Sequence, residues 1–211
     1  MPKIKAVIFD MDGVLIDAKE WHFEALNRAL ELFGYTINRY DHLVTYDGLP
    51  TKKKLEMLSA ERGLPRALHG FINDLKQQYT MDAVYTRCKP LFHHEYALSR
   101  LKAAGFRLAV ASNSVRNTVE VMMQKAALDR YLDALLSNQD VAKPKPDPEI
   151  YLATMARLGL EARECLVVED NENGIRAARA SGAHVMVVGS VQDVNYPNIV
   201  AHLAKYEREA A

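Results

Sequence analysis

Only two cysteines, Cys88 and Cys165, occur among 211 residues. Two cannot make a disulfide framework, and neither sits in a metal-ligand spacing. They read as reduced thiols of a cytoplasmic protein, with Cys165 buried in a strand. Excess charge is absent too: Lys+Arg and Asp+Glu both number 27, for a formal net charge of +0. Such a balance gives no global field to draw in nucleic acid or an anionic membrane surface. No apolar run approaches the roughly 20 residues a membrane span requires, and the first apolar stretch, residues 4–9, is too brief for a signal-peptide core. Internal repeats are missing, and the only biased stretch is the Lys-Pro-Lys-Pro-Asp-Pro turn at 143–148. What remains is ordinary globular material, 49% hydrophobic and 26% charged, which excludes disorder and collagen-like structure. The length suits one domain or one and a half, with a sizeable core.

Five short apolar runs, rich in β-branched residues, lie at 4–9, 108–111, 134–136, 166–168 and 185–188. Near-continuous rather than alternating runs predict strands of a parallel sheet covered on both faces. Helical patterns over 115–126, 147–158 and 173–181 separate the later runs, the last stopped by Gly182. Strand then helix, repeated, predicts a doubly wound α/β domain.

The first gap breaks this rhythm. Nearly a hundred residues between Asp10 and Leu108 have little strand character and several helical stretches. Asp17 with Glu20 forms a capping-box pattern for a helix ending near Gly34, with Trp21, Ala25, Leu26, Ala29, Leu30 and Phe33 on its apolar face. Thr51 is placed to cap a second helix that stops at Gly63. Pro65 opens a third, carrying Leu68, Phe71, Ile72, Leu75 and Tyr79. A fourth, over 93–104, returns the chain to the sheet. The expected architecture is an α/β core of residues 1–16 and 88–211, with a small helical domain of residues 17–87 inserted after the first strand. Linkers are expected near 13–17 and 79–90, and a fraying tail at 206–211.

Ligands of open parallel sheets bind beyond the carboxyl ends of the strands. Asp10 and Asp12 follow the first run; Ser112, Asn113 and Ser114 the second; Lys143 and Lys145 come after the third; Glu169 and Asp170 follow the fourth. Carboxylates without paired His or Cys favour Mg²⁺ over Zn²⁺. A cation held by carboxylates, with lysine and hydroxyl donors beside it, suits phosphoryl transfer.

The run Asp10-Met11-Asp12-Gly13-Val14-Leu15-Ile16-Asp17 resembles the first motif of the haloacid dehalogenase-like (HAD) hydrolases. The resemblance covers the whole chain: Ser112 lies in a second-motif context, Lys143-Pro144-Lys145-Pro146-Asp147 resembles the third motif, and Glu169-Asp170 the fourth. It implies that Asp10 is the nucleophile, forming an aspartyl-phosphate. Asp12 would protonate the leaving oxygen and then activate water. Ser112, Asn113 and Lys143 would bind the phosphoryl group, leaving Lys145 as a solvated turn lysine. Asp10, the Asp12 carbonyl, Asp170 and Glu169 would hold Mg²⁺, although Glu169 has the alternatives of acting through water or of orienting Asp170. Gly13 allows a tight turn beside the phosphate. Asp17 is a helix cap rather than a reactant.

The helical insertion resembles the cap of the phosphoglycolate-phosphatase and β-phosphoglucomutase branch. His22 occupies the place of a cap histidine, its bland alternative being a histidine on a helix face. Residues 46–51 resemble a substrate-specificity loop, with Gly48 in it and Lys52 after it. Three consecutive lysines cannot share one helix face, and Lys52 is the one assigned to a ligand. The resemblance therefore implies a Mg²⁺-dependent phosphatase of a small phosphorylated metabolite, a sugar phosphate above all, and the chain is expected to be monomeric or weakly associated. A sugar phosphomutase is the alternative. Its second phosphate clamp looks incomplete, because Thr51 and Val115 stand where mutases of this branch carry basic residues; Ser114, Arg116 and Asn117 could still bind a polar group, and Lys52 and Arg116 could compensate. Asp12 argues against a phosphonate hydrolase, and Glu169-Asp170 against a dehalogenase. A catalytically idle protein binding a phosphorylated metabolite or a protein partner is the non-enzyme alternative.

Overall fold

A computed structural model describes residues 4–46 and 48–208 of the chain. Each apolar run becomes a strand: β1 Ala6–Phe9, β2 Arg107–Ala111, β3 Ala134–Leu136, β4 Cys165–Glu169 and β5 His184–Val187. All pairings are parallel, in the order β3-β2-β1-β4-β5. The first strand in sequence is thus the central one, and all four of its residues are buried.

Side chains of a strand alternate between faces, and here both faces are covered. Ala6, Ile8, Ala109, Ala111, Leu136 and Val167 pack with Ile150, Tyr151 and Met155 of α7 (Glu149–Leu158) and with Ala177 and Ala178 of α8 (Glu172–Ala180). Val7, Phe9, Leu108, Val110, Leu166 and Val168 alternate with these and are equally buried. Burying a side chain of this size stabilises by about 1.5–3 kcal/mol, so continuous runs are what a two-sided sheet needs. Cys165 lies in β4; it and Cys88 are both buried, and they are not joined in a disulfide.

The chain divides into two compact units, one running to Asp17 and resuming at Lys89, the other spanning Ala18–Cys88. The second is helical: α1 Lys19–Glu31, α2 Arg39–Asp41 leading into a π-helical turn His42–Tyr46, α3 Thr51–Arg62 and α4 His69–Arg87. Its own core joins Leu26, Leu30, Ile37, Tyr46, Leu55, Leu58, Leu64 and Ile72.

Several expected boundaries shift for local reasons. The N-cap of α1 is Ala18, without a side-chain cap bond. Glu20 instead pairs with Arg39 at 2.9 Å, so the Asp17–Glu20 capping box does not form. Pro50, not Thr51, precedes α3, and Pro65 leads into a 3₁₀ turn before α4. The linker expected from Tyr79 is helix up to Arg87, because the buried stripe Ile72, Lys76, Thr80 and Val84 continues at four-residue spacing.

The core unit continues with α5 Phe92–Ala103 and α6 Arg116–Lys125, and ends in α9 Tyr196–Arg208. The last has no counterpart in the sequence reading, although Ile199 and Leu203 mark its buried side. Of the expected fraying tail, residues 209–211 lie outside the described residues, and 206–208 are helical. No helix among the described residues is long and apolar enough to cross a membrane.

Candidate active site

Strand register brings the motifs together. Phe9 is level with Val110 of β2 and Val168 of β4, so the chain leaves the sheet at one height as Asp10, as Ala111-Ser112 and as Glu169-Asp170. After Asp10 the backbone folds into a compact loop. Leu15 and Ile16 donate their N–H to the Met11 carbonyl at 2.9 Å, and Gly13 N–H reaches the Ile16 carbonyl at 2.7 Å. Gly13 has φ 90° there, a conformation open to glycine. The loop presents Asp12, half-buried, with its Oδ2 accepting from the Ser114 hydroxyl at 2.8 Å.

Ser112 is buried, and its hydroxyl accepts from the Ser114 N–H at 3.0 Å. Asn113 reaches sideways. Its Oδ1 accepts from the Lys145 N–H at 3.0 Å and its Nδ2 donates to the Lys145 carbonyl at 3.3 Å. The Asn113 amide expected to bind phosphate therefore brackets the backbone of a lysine.

That lysine is the main departure from expectation. Lys145 is 3% exposed, and its Nζ donates to Asp10 Oδ1 at 2.6 Å and to Glu169 Oε1 at 2.7 Å. Lys143, expected at this place, has its side chain 73% exposed and lies 4.0 Å from Asp147. The turn contains two overlapping matches to the third motif, Lys143-Pro-Lys-Pro-Asp147 and Lys145-Pro-Asp-Pro-Glu149. The fold uses the second. Its acidic residue, Glu149, is the first residue of α7, and its carboxylate accepts the N–H groups of Ala142 and Lys143 at 2.9 Å. Those bonds hold Lys143 on the outside of the turn. The Lys145–Pro146 peptide is cis.

Glu169 is fully buried and surrounded by donors. Its Oε1 accepts from Lys145 and from the Tyr151 hydroxyl at 2.5 Å; its Oε2 accepts from the Asp170 N–H at 3.1 Å and from Asn171 Nδ2 at 3.3 Å. Asn171 caps α8 through the Gly174 N–H at 3.0 Å. Asp10, Glu169 and Asp170 each offer an oxygen within 4.8 Å of the others. Burial pushes the Asp10 carboxyl well above its ordinary range, Lys145 opposes the rise, and Glu169, Asp170 and Asp12 add to it. Burial would lower the Lys145 ammonium, but Asp10 and Glu169 hold it above its ordinary value. The three clustered carboxylates of Asp10, Glu169 and Asp170, all oxygen donors, fit a hard divalent cation such as Mg²⁺.

Arg116 is committed elsewhere. Its guanidinium pairs with Asp140 and lies 3.7 Å from Glu120, and its N–H donates to Gln139 at 2.9 Å. In the helical unit, His22 Nδ1 lies 3.2 Å from Nζ of Lys76, a buried lysine that the sequence reading passed over. Of residues 52–54, Lys52 and Lys53 are exposed while Lys54 is buried. Gly48 sits in the turn before α3 with φ 69°, and Asp47 of the same loop lies outside the described residues.

Residues 7–188 match the profile of the haloacid dehalogenase-like hydrolases. A phosphorylated carbohydrates phosphatase from Thermotoga maritima is 29% identical over 197 residues, 91% of this chain and 88% of that protein. A β-phosphoglucomutase from Bacillus subtilis is 30% identical over 200 residues, 90% of this chain and 85% of its own. Among solved structures, a β-phosphoglucomutase from Clostridium difficile superposes with a TM-score of 0.83 at 20% identity, covering 96% of this chain and 98% of that one.

Proposed function

Since the chain belongs to the haloacid dehalogenase-like hydrolase family, we propose that it is a Mg²⁺-dependent phosphatase of a small phosphorylated metabolite, a sugar phosphate above all. One observation carries the reading: a buried lysine, Lys145, whose ammonium lies between the Asp10 and Glu169 carboxylates. A carboxylate so held is oriented for attack, and the same ammonium has a third N–H for a phosphoryl oxygen.

In the proposed reaction an Asp10 oxygen bonds to phosphorus while the ester P–O bond breaks, and the departing oxygen takes the Asp12 proton. Water then attacks phosphorus and gives its proton to Asp12, and the aspartyl P–O bond breaks to return the Asp10 carboxylate and inorganic phosphate. The Ser112 hydroxyl and the Lys145 ammonium bind the transferring group, a role moved here from Lys143. Asn113 acts through Lys145, whose backbone it holds, and Ser114 orients Asp12. Asp10, Asp170 and the Asp12 carbonyl would hold Mg²⁺, which supplies charge neutralisation between nucleophile and phosphate. Glu169, with a donor at every acceptor position, fixes Lys145 and the Asp170 backbone. We assign the choice of leaving group to the helical unit, with His22, Gly48 and Lys52 as the residues to vary. We further propose a monomer working in the cytoplasm, in keeping with two cysteines that form no disulfide.

The phosphomutase alternative loses support from Arg116, whose ion pairs with Asp140 and Glu120 occupy a guanidinium that could otherwise compensate for the incomplete second phosphate clamp. The test is phosphate release with Mg²⁺ across sugar, polyol and nucleotide monophosphates, run beside β-glucose 1-phosphate with detection of the 6-phosphate. Phosphate release is the expected outcome. Isomer formation without release establishes the mutase, and no turnover of any ester, a generic aryl phosphate included, leaves only the idle binding protein.

A further inference from the structure

Tyr151 is fully buried on α7 in the core between sheet and helices, among Ile150, Met155, Ala111 and Leu136. Its hydroxyl is its one polar atom. A buried tyrosine needs a partner for that group, and this one donates at 2.5 Å to the Glu169 oxygen that also receives Lys145. The ring faces the lysine as well, with the Lys145 Nζ 4.7 Å from its centroid. One side chain therefore meets both the lysine and the carboxylate that holds it.

From this arrangement we infer that Tyr151 is a positioning residue of the phosphoryl-transfer centre, a hydroxyl that fixes Glu169 so that Glu169 fixes the Lys145 ammonium against Asp10. The inference rests on the phosphatase reading above. The terminal torsion of a glutamate is broad, so a carboxylate keeps one orientation only when both oxygens are engaged. Oε2 is engaged by the start of α8, through the Asp170 N–H and the Asn171 amide. Tyr151 supplies the stationary donor on Oε1, because Lys145 is the group being aimed. A second observation shows that the site is built around this orientation. A Cβ on Gly174, in the first turn of α8, would fall inside the Glu169 carboxylate. The helix is closed onto the carboxylate from one side while the tyrosine meets it from another.

The test is Tyr151→Phe, which keeps the ring and its contact with Lys145 and removes one oxygen. A lost hydrogen bond to a charged group corresponds to about a tenfold to hundredfold fall in kcat. KM is expected to stay within about threefold. Affinity for vanadate, which adopts the five-coordinate geometry of the reacting phosphorus, is expected to fall in step with kcat, read by inhibition and by calorimetry with Mg²⁺. The melting temperature should hold within a few degrees. Glu169→Gln and the double variant complete a cycle. If Tyr151 acts through Glu169, the double variant loses little more than the worse single one. An active wild type with a Tyr151→Phe kcat and vanadate affinity within twofold, or with additive losses in the cycle, overturns this inference alone. A wild type that neither hydrolyses phosphate esters nor binds vanadate overturns the phosphatase reading and this inference with it.

Discussion

Two lysines two positions apart have opposite fates, and they make the sharpest comparison the molecule offers. Lys145 lies buried between Asp10 and Glu169, whereas Lys143 is exposed beside Asp147. Lys145→Ala is expected to lower kcat by about 10²–10³-fold, the usual loss for a donor aimed at developing charge. It also leaves buried carboxylates uncompensated, so urea unfolding should register about 3–5 kcal/mol of lost stability. Lys143→Ala should stay within about twofold in activity and about 0.5 kcal/mol in stability. Equal effects in the two variants would refute the assignment. Asp10→Asn should reduce steady-state phosphate release by at least about 10³-fold while leaving circular dichroism unchanged. The carboxylates of this centre could be read directly from the sequence, since all of them lie within three residues of the end of an apolar run. The lysine could not be placed the same way. Both lysines satisfy the third-motif spacing, and the difference lies in which acidic residue opens α7. Tyr151 was out of reach for another reason: on a helix face it looks like core, and only the fold brings its hydroxyl to Glu169.

Helix α8 departs from what helix propensity alone would suggest. Glycine inside a helix ordinarily costs about 0.5–1 kcal/mol relative to alanine, so Gly→Ala there usually stabilises. At Gly174 the sign should reverse, because the added methyl would overlap the Glu169 carboxylate. Gly174→Ala is expected to cost about 1–3 kcal/mol in urea unfolding, the range for overpacking, with a parallel loss of activity as Glu169 is displaced. Increased stability would show that the carboxylate has room to move. Strands, by contrast, carry their own signature, since a sheet covered on both faces demands unbroken apolar runs. Helices were readable only where their buried stripe is apolar. The stripe of α4 passes through Lys76 and Thr80, two polar residues that hide the helix beyond Tyr79. The capping pattern at Asp17 misled for the opposite reason: Glu20 meets a distant arginine, Arg39, instead of its own backbone.

The pH response of the folded chain should carry the mark of His94. His94, on α5, is nearly inaccessible, its Nε2 2.8 Å from the Val191 carbonyl. Burial lowers its pKa from 6.5 to about 4, with His93 adding to the fall. Between those values the unfolded chain binds a proton that the fold refuses, so stability declines as pH drops and is fully present only above about pH 6.5. The loss by pH 4 amounts to about 3 kcal/mol. Urea unfolding from pH 7.5 to 4.5 should show it, and His94→Gln should flatten that part of the slope. An unchanged slope in the variant would place the acid sensitivity elsewhere. The sheet order has a further consequence, for synthesis. Phe9 closes the central strand, yet its neighbours begin at Arg107 and Cys165. At roughly 5–20 residues per second, β1 leaves the ribosome about 5–20 s before β2 and several seconds more before β4. Meanwhile a stretch with all four residues destined for burial has no partner on either edge. The helical unit, with its own apolar core, emerges during that interval, so the insertion lengthens the time for which β1 waits without its neighbours.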